Sequence, residues 1–218
     1  MRLIKLSSAV ILLVLISCTS TQVVGQKYIT SSPVLLAYED YLFSMKEQRL
    51  PVEFNDGVQV ENCNEYILLK SETVLVETES NFLASQNYVM CETLSIIKKS
   101  EDFQKISLLP IKIGEALAKQ IDLRSFRSSL FKRANENAYT LDAISKGALE
   151  ISDYGVVLES DNWFFELQVV ARIDANSDGV EDWLIWVSDR AKMGSYNTFK
   201  GYIAYGVEDE IGLSLNKL

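Results

Sequence analysis

The feature that most constrains the fold lies between residues 163 and 173, where Trp163, Phe165, Leu167, Val169, Ala171 and Ile173 alternate with Glu166, Gln168 and Arg172. Successive side chains of an extended chain point to opposite sides, so a period of two predicts a half-buried strand. Trp183 to Val187 and Phe199 to Tyr205 supply two more such runs, and Leu149 to Leu158 is likewise rich in β-branched residues. The short connections between them predict an antiparallel meander of about four strands.

Upstream of Gly147 the apolar spacing is helical instead. Ser31-Ser32-Pro33 ahead of Leu35, Leu36, Tyr38, Tyr41, Leu42 and Met45 reads as a capped helix with proline in its first turn and an apolar face. Cys63, Tyr66 and Ile67 fit one helical stripe, and Phe82, Leu83, Gln86, Val89, Met90, Thr93, Leu94 and Ile97 fit another. Further helices are expected over 113–121, 125–134 and 141–146, and a short strand over 73–77. The expected class is α+β, a mainly helical part over 33–147 followed by a β part over 148–218, with the helices covering one face of the sheet. Whether these share one core or form two is open.

The start of the chain carries a different signal. Arg2 and Lys5 precede an unbroken Ala, Val, Ile and Leu run from Ala9 to Ile16, the pattern of a secretory signal. The run is far short of the about 20 apolar residues that cross a bilayer. Leu15-Ile16-Ser17-Cys18 resembles the bacterial lipobox. That resemblance implies a signal peptide over 1–17, cleavage before Cys18, acylation of its sulfur and new amino group, and a membrane-anchored tether over 18–32. The alternative is an ordinary cleaved signal with a chance cysteine. Thr19 stands where many Gram-negative lipoproteins carry an Asp retention mark, which favours the outer membrane, and the tether spans at most about 50 Å.

Without Arg2 and Lys5, 19 basic residues face 30 acidic ones, a formal charge of −11. A phosphate backbone demands clustered Lys and Arg, so a nucleic-acid partner is not expected. The chain has no histidine, which excludes Ser-His and Cys-His nucleophile systems and His-ligated zinc. If Cys18 carries lipid, Cys63 and Cys91 remain as an even pair in an exported compartment, and a disulfide between two helices is the natural expectation, two buried free thiols being the alternative. Closing a loop of that length stabilises a fold by about 3.5 kcal/mol in the chain-entropy model.

Between two expected strands lies Asp174-Ala175-Asn176-Ser177-Asp178-Gly179-Val180-Glu181-Asp182. Calcium takes six to eight hard oxygen ligands, and oxygens at alternate positions with a glycine at the turn can wrap one ion. The stretch resembles the Asp-x-Asn-x-Asp-Gly-x-x-Asp calcium loops of EF-hands, dockerins and FG-GAP-type repeats. The resemblance implies ligands at Asp174, Asn176, Asp178 and Asp182 and the carbonyl of Val180, with Ca2+ locking a hairpin. Ile185 stands where an EF-hand has its bidentate acid, and the flanks read as strands, so the FG-GAP-type form is the nearer likeness. The alternative is a plain turn at Ser177-Asp178-Gly179.

Phe164, Trp186 and Tyr205 fall on the sheet face opposite Phe165, Trp183 and Ile185, either as an exposed row suited to sugar or protein contact or as core under the helices. Two functional readings follow. One is a non-catalytic, calcium-stabilised envelope lipoprotein that binds or scaffolds a protein or glycan; the other is an anchored envelope hydrolase acting through paired carboxylates.

Overall fold

A computed structural model describes residues 28–100, 112–145, 147–207 and 212–218. The signal run, Cys18 and most of the tether lie outside the described residues. In chain order the elements are β1 (Tyr28–Ile29), α1 (Ser32–Glu39), α2 (Tyr41–Ser44), β2 (Val52–Glu53), β3 (Gln59–Val60), α3 (Cys63–Lys70), α4 (Glu79–Ser85) and α5 (Val89–Lys99). Then come α6 (Ile113–Gln120), α7 (Leu141–Ser145), β4 (Leu149–Ile151), β5 (Gly155–Glu159), β6 (Trp163–Ile173), β7 (Asp182–Ala191), β8 (Asn197–Ala204) and β9 (Asn216–Lys217). The class is α+β. Helices dominate the first half, and the second is an antiparallel sheet in the order β4-β5-β6-β7-β8-β9 with β1 added on β6, seven strands where the sequence predicts about four.

The long strand β6 does not keep one face throughout. Its register against β7 shifts between Val169 and Ala171, a β-bulge that inserts Val170. Phe165, Leu167 and Val169 therefore join one core with Ile185 and Val187, while Val170, Ala171 and Ile173 join another on the opposite face with Leu184 and Ile203. The carbonyl of Val170 accepts the N–H groups of Thr30 and Ser31, which seats the start of α1 on the sheet.

Helices accordingly cover both faces, not one. Leu117 of α6, Leu141 of α7 and the connecting residues Ile121, Leu123, Phe126 and Leu130 pack on the first face; Val34 of α1 and Ile97 of α5 pack on the second. The continuous apolar run Trp183 to Val187 is what a strand needs when both its faces are dry. A third core gathers Met45, Val52, Phe54, Cys63, Tyr66, Tyr88, Cys91 and Leu94. The expected Cys63–Cys91 disulfide joins α3 to α5 inside it, with Cα atoms 5.0 Å apart. α5 belongs to both bodies, giving Cys91 and Leu94 to this core and Ile97 to the sheet.

Four local expectations change. The helix expected from Pro33 to Met45 breaks at Asp40 (φ −105°, ψ 47°), and Leu35, Leu36 and Leu42 are exposed while Val34 and Met45 are buried. The helix expected over 82–97 is interrupted by a 3-10 turn at Gln86–Tyr88, which leaves Phe82 and Leu83 outside. Residues 73–77 make one bridge, Leu75 with Phe54, instead of a strand. Residues 125–134 hold only a 3-10 turn at Phe131–Arg133. There the hydroxyl of Ser125 donates to Asp122 O and that of Ser129 to Asp189, contacts that compete with helix formation.

α6 sits directly on the β4–β5 hairpin through Gly114. A Cβ built there would clash with the carbonyl oxygens of Ser152 and Gly155, both backbone atoms that cannot swing aside. Gly114→Ala should therefore destabilise the fold by about 1–3 kcal/mol as an overpacked contact, read as a lower denaturant midpoint; an unchanged midpoint would contradict this packing.

Candidate binding groove and acidic loop

The β6–β7 connection turns through two left-handed residues, Ser177 (φ +62°) and Gly179 (φ +81°). These aim backbone N–H groups inward. Asp174 accepts from the N–H of Asp178 (3.2 Å) and of Gly179 (2.7 Å), and Asp178 accepts from Val180 N (2.8 Å) and from the Asn176 amide (2.9 Å). Asp182, fully buried, accepts from Ala175 N and from Gly206 N, both at 2.8 Å, and so ties the loop to the end of β8. Burial raises the Asp182 carboxyl above the usual range; the two N–H donors oppose that, and Asp178 and Asp174 add to it. Beside the loop, Glu181 takes Arg172 in two 2.6 Å bonds and also accepts from the Trp183 indole at 2.7 Å.

Asp174, Asn176, Asp178, Val180 and Asp182 thus share one loop, and their hard oxygens are the donor type that calcium takes. Each carboxylate oxygen of Asp174, Asp178 and Asp182 already accepts an N–H, and among the described residues no group of three or more His, Cys, Asp or Glu side chains is arranged around a metal position.

A groove of about 870 Å³ opens where the α3–α4 region faces the β8–β9 edge. One wall is the extended segment Thr73 to Thr78 with Phe82; the other is Phe199, Lys200, Gly201 and Lys217, and Val89 and Glu92 of α5 lie between. At its floor Glu92 is neutralised by Lys70 and accepts from Tyr66 Oη at 2.8 Å, while Lys70 also donates to Leu218 O at 2.7 Å. Lys200, Lys217 and Arg127 line the sheet side and have no ion-pair partner among the described residues. Burial lowers the Lys200 ammonium below the ordinary lysine value, the Lys217 and Arg127 cations lower it further, and Asp189 works the other way.

Asp189 is itself buried on β7 and is held by neutral donors, the N–H and hydroxyl of Ser129 (2.6 and 2.7 Å), the Trp163 indole (2.7 Å) and the Tyr196 hydroxyl (3.0 Å). The aromatic row divides. Trp186 lies under α5, donating to Thr93 Oγ1 at 2.9 Å and packing edge-on to Phe199; Phe164 carries the Arg190 guanidinium 4.5 Å over its ring; Tyr205 is exposed. Neither the cation group nor Asp189 stands out by spacing in the sequence. The available signals are single residues, Lys200 as the only charge in the run Phe199 to Ala204 and Asp189 at the end of an apolar strand.

No protein family, no curated protein and no solved structure matches this chain.

The half-buried Lys200 charge opposes folding. Its folded-state pKa lies below the unfolded value, so between the two the unfolded chain binds more protons and stability rises with pH, leaving the whole cost in place at neutral pH. Lys200→Met should raise the melting temperature at pH 7, with the gain over the natural chain shrinking as pH approaches about 10. A lower melting temperature at pH 7, or a gain that does not vary with pH, would contradict this.

Proposed function

We propose that this chain is a lipid-anchored cell-envelope protein, at the outer membrane, whose folded body is a non-catalytic binding module and whose groove between the helical region and the β8–β9 edge is the binding element. The observation that carries this reading is the groove. Its volume of about 870 Å³ falls in the range of ligand clefts, and its walls combine apolar side chains with a few convergent charges, the composition such clefts use. The absence of histidine from the sequence and the engagement of Glu92 by Lys70 and Tyr66 support binding over catalysis.

The anchoring part rests on Leu15-Ile16-Ser17-Cys18 and on the eleven residues from Cys18 to Tyr28, which reach at most about 35 Å and would keep the sheet near the bilayer. Ca2+ is the ion proposed for the Asp174–Asp182 loop, supported by its oxygen donors alone. It would act structurally, and titration calorimetry should then show millimolar or tighter binding together with a raised melting temperature; neither effect would remove calcium from the reading.

Expression of the full chain with Phe82 replaced by the photo-crosslinking residue benzoylphenylalanine tests the main claim. Expected are sedimentation with membranes, release to the soluble fraction on Cys18→Ser, and a light-dependent adduct to an envelope component. A chain that is soluble with Cys18 intact would refute the anchor, and no adduct from Phe82 or from the same residue placed at Val74 would refute the groove.

A further inference from the structure

The groove has one wall that is an open strand edge. β9 pairs only with Tyr202 and Ile203 of β8, and the N–H of Leu218 reaches Gly201 O. Beyond that, among the described residues, no strand pairs with Asn197 to Lys200 on the side away from β7; the Gln86–Tyr88 turn lies against β8, and its one hydrogen bond there is the Gln86 amide donating to Asn197 O. Backbone groups of alternate strand residues point to the same side. Since the carbonyls of Gly201 and Asn197 point outward, those of Phe199 between them do so as well, into the groove. An unpaired edge of this kind is a template for an added strand.

The opposite wall is also extended chain. Val74 O accepts from Asn55 N and Val76 N donates to Glu53 O, so the groove lies between two extended segments, this one and β8. Its charge selects the occupant. In a chain of net charge −9, Lys200, Lys217 and Arg127 gather on this edge with no carboxylate at ion-pair distance among the described residues; Lys70 is neutralised by Glu92, and the other carboxylates of the lining, Glu77 and Glu79, belong to the opposite wall.

We infer that the open edge of β8 binds an extended, acidic peptide segment of a partner protein as an added strand, its backbone pairing at Phe199 and its carboxylates meeting Lys200, Lys217 and Arg127. Apolar side chains of the segment, pointing the other way, meet Val74 and Phe82. The inference rests on the groove being a binding element and names what fills it.

The test uses the full chain and three probes in fluorescence anisotropy, a labelled seven-residue peptide alternating Glu and Val, its Lys–Val counterpart, and polygalacturonate as an anionic glycan. The Glu–Val peptide should bind saturably and the Lys–Val peptide should not. Arg127→Glu and Lys217→Glu, exposed positions whose variants are checked for an unchanged melting temperature, should each weaken binding by about tenfold or more. Amide hydrogen exchange at Phe199 should slow in the complex. Equal binding of both peptides, binding unaffected by the two charge reversals, or no protection of Phe199 would overturn the inference. Binding of polygalacturonate alone, lost on Lys217→Glu, would overturn the peptide while leaving the groove as a binding site; no binding of any probe, together with no Phe82 adduct in the envelope, would overturn both.

Discussion

The pairing of β6 with β7 is the constraint on which the other elements depend. Both strands bury residues on both faces, and the bulge at Val170 lets one strand serve two cores, Leu167 and Val169 below and Ala171 and Ile173 above. The Val170 carbonyl then fixes Thr30 and Ser31, and with them the direction of α1. At the same end the Arg172–Glu181 pair, nearly buried and joined by the Trp183 indole, closes the connection between the two strands. Removing one member of such a pair costs about 3–5 kcal/mol, because the charge left behind loses its opposite charge in a nearly buried position. A register slip by one residue would turn both cores outward together.

The groove is a consequence of how the third core is attached. Phe54, Tyr66, Tyr88 and the Cys63–Cys91 bridge make that core a body of its own, and α5 carries it to the sheet through Ile97 and through Thr93, which holds the Trp186 indole. α5 and α1 make the joint, with the Lys70–Leu218 and Gln86–Asn197 hydrogen bonds beside it, and between these contacts a groove is left along the β8 edge. The side chains left along that gap are the ones a packed interior would exclude: Lys200 half-buried beside two other cations, and Phe199 with an open backbone.

The sequence was legible where one force acts locally. The α+β class, the strands around Trp163 to Ile173 and Trp183 to Val187, and the Cys63–Cys91 pair could be read from periodicity and parity. The bulge could not, because an inserted Val among Val, Ala and Ile leaves the alternation looking intact; this is why a sheet covered on one face was expected. The helix expected over 125–134 failed for a related reason. Ser125 and Ser129 bond to Asp122 and to the distant Asp189, a tertiary partner that no window of sequence contains. The groove was hidden altogether, since Arg127, Lys200 and Lys217 come from three separate segments. The acidic loop was the reverse case, conspicuous in sequence, while its oxygens in the folded chain rest on backbone N–H groups.

Native-state amide hydrogen exchange on the full chain tests the central claim that the doubly buried β6–β7 pair is what the fold depends on. Amides that open only on global unfolding should lie in Leu167 to Ile173 and Leu184 to Val187, with the region around α3 and α4 opening at lower free energy. If the slowest amides instead lay in α3 and α5, and the β6–β7 pair exchanged faster than the disulfide-linked core, the account would be contradicted.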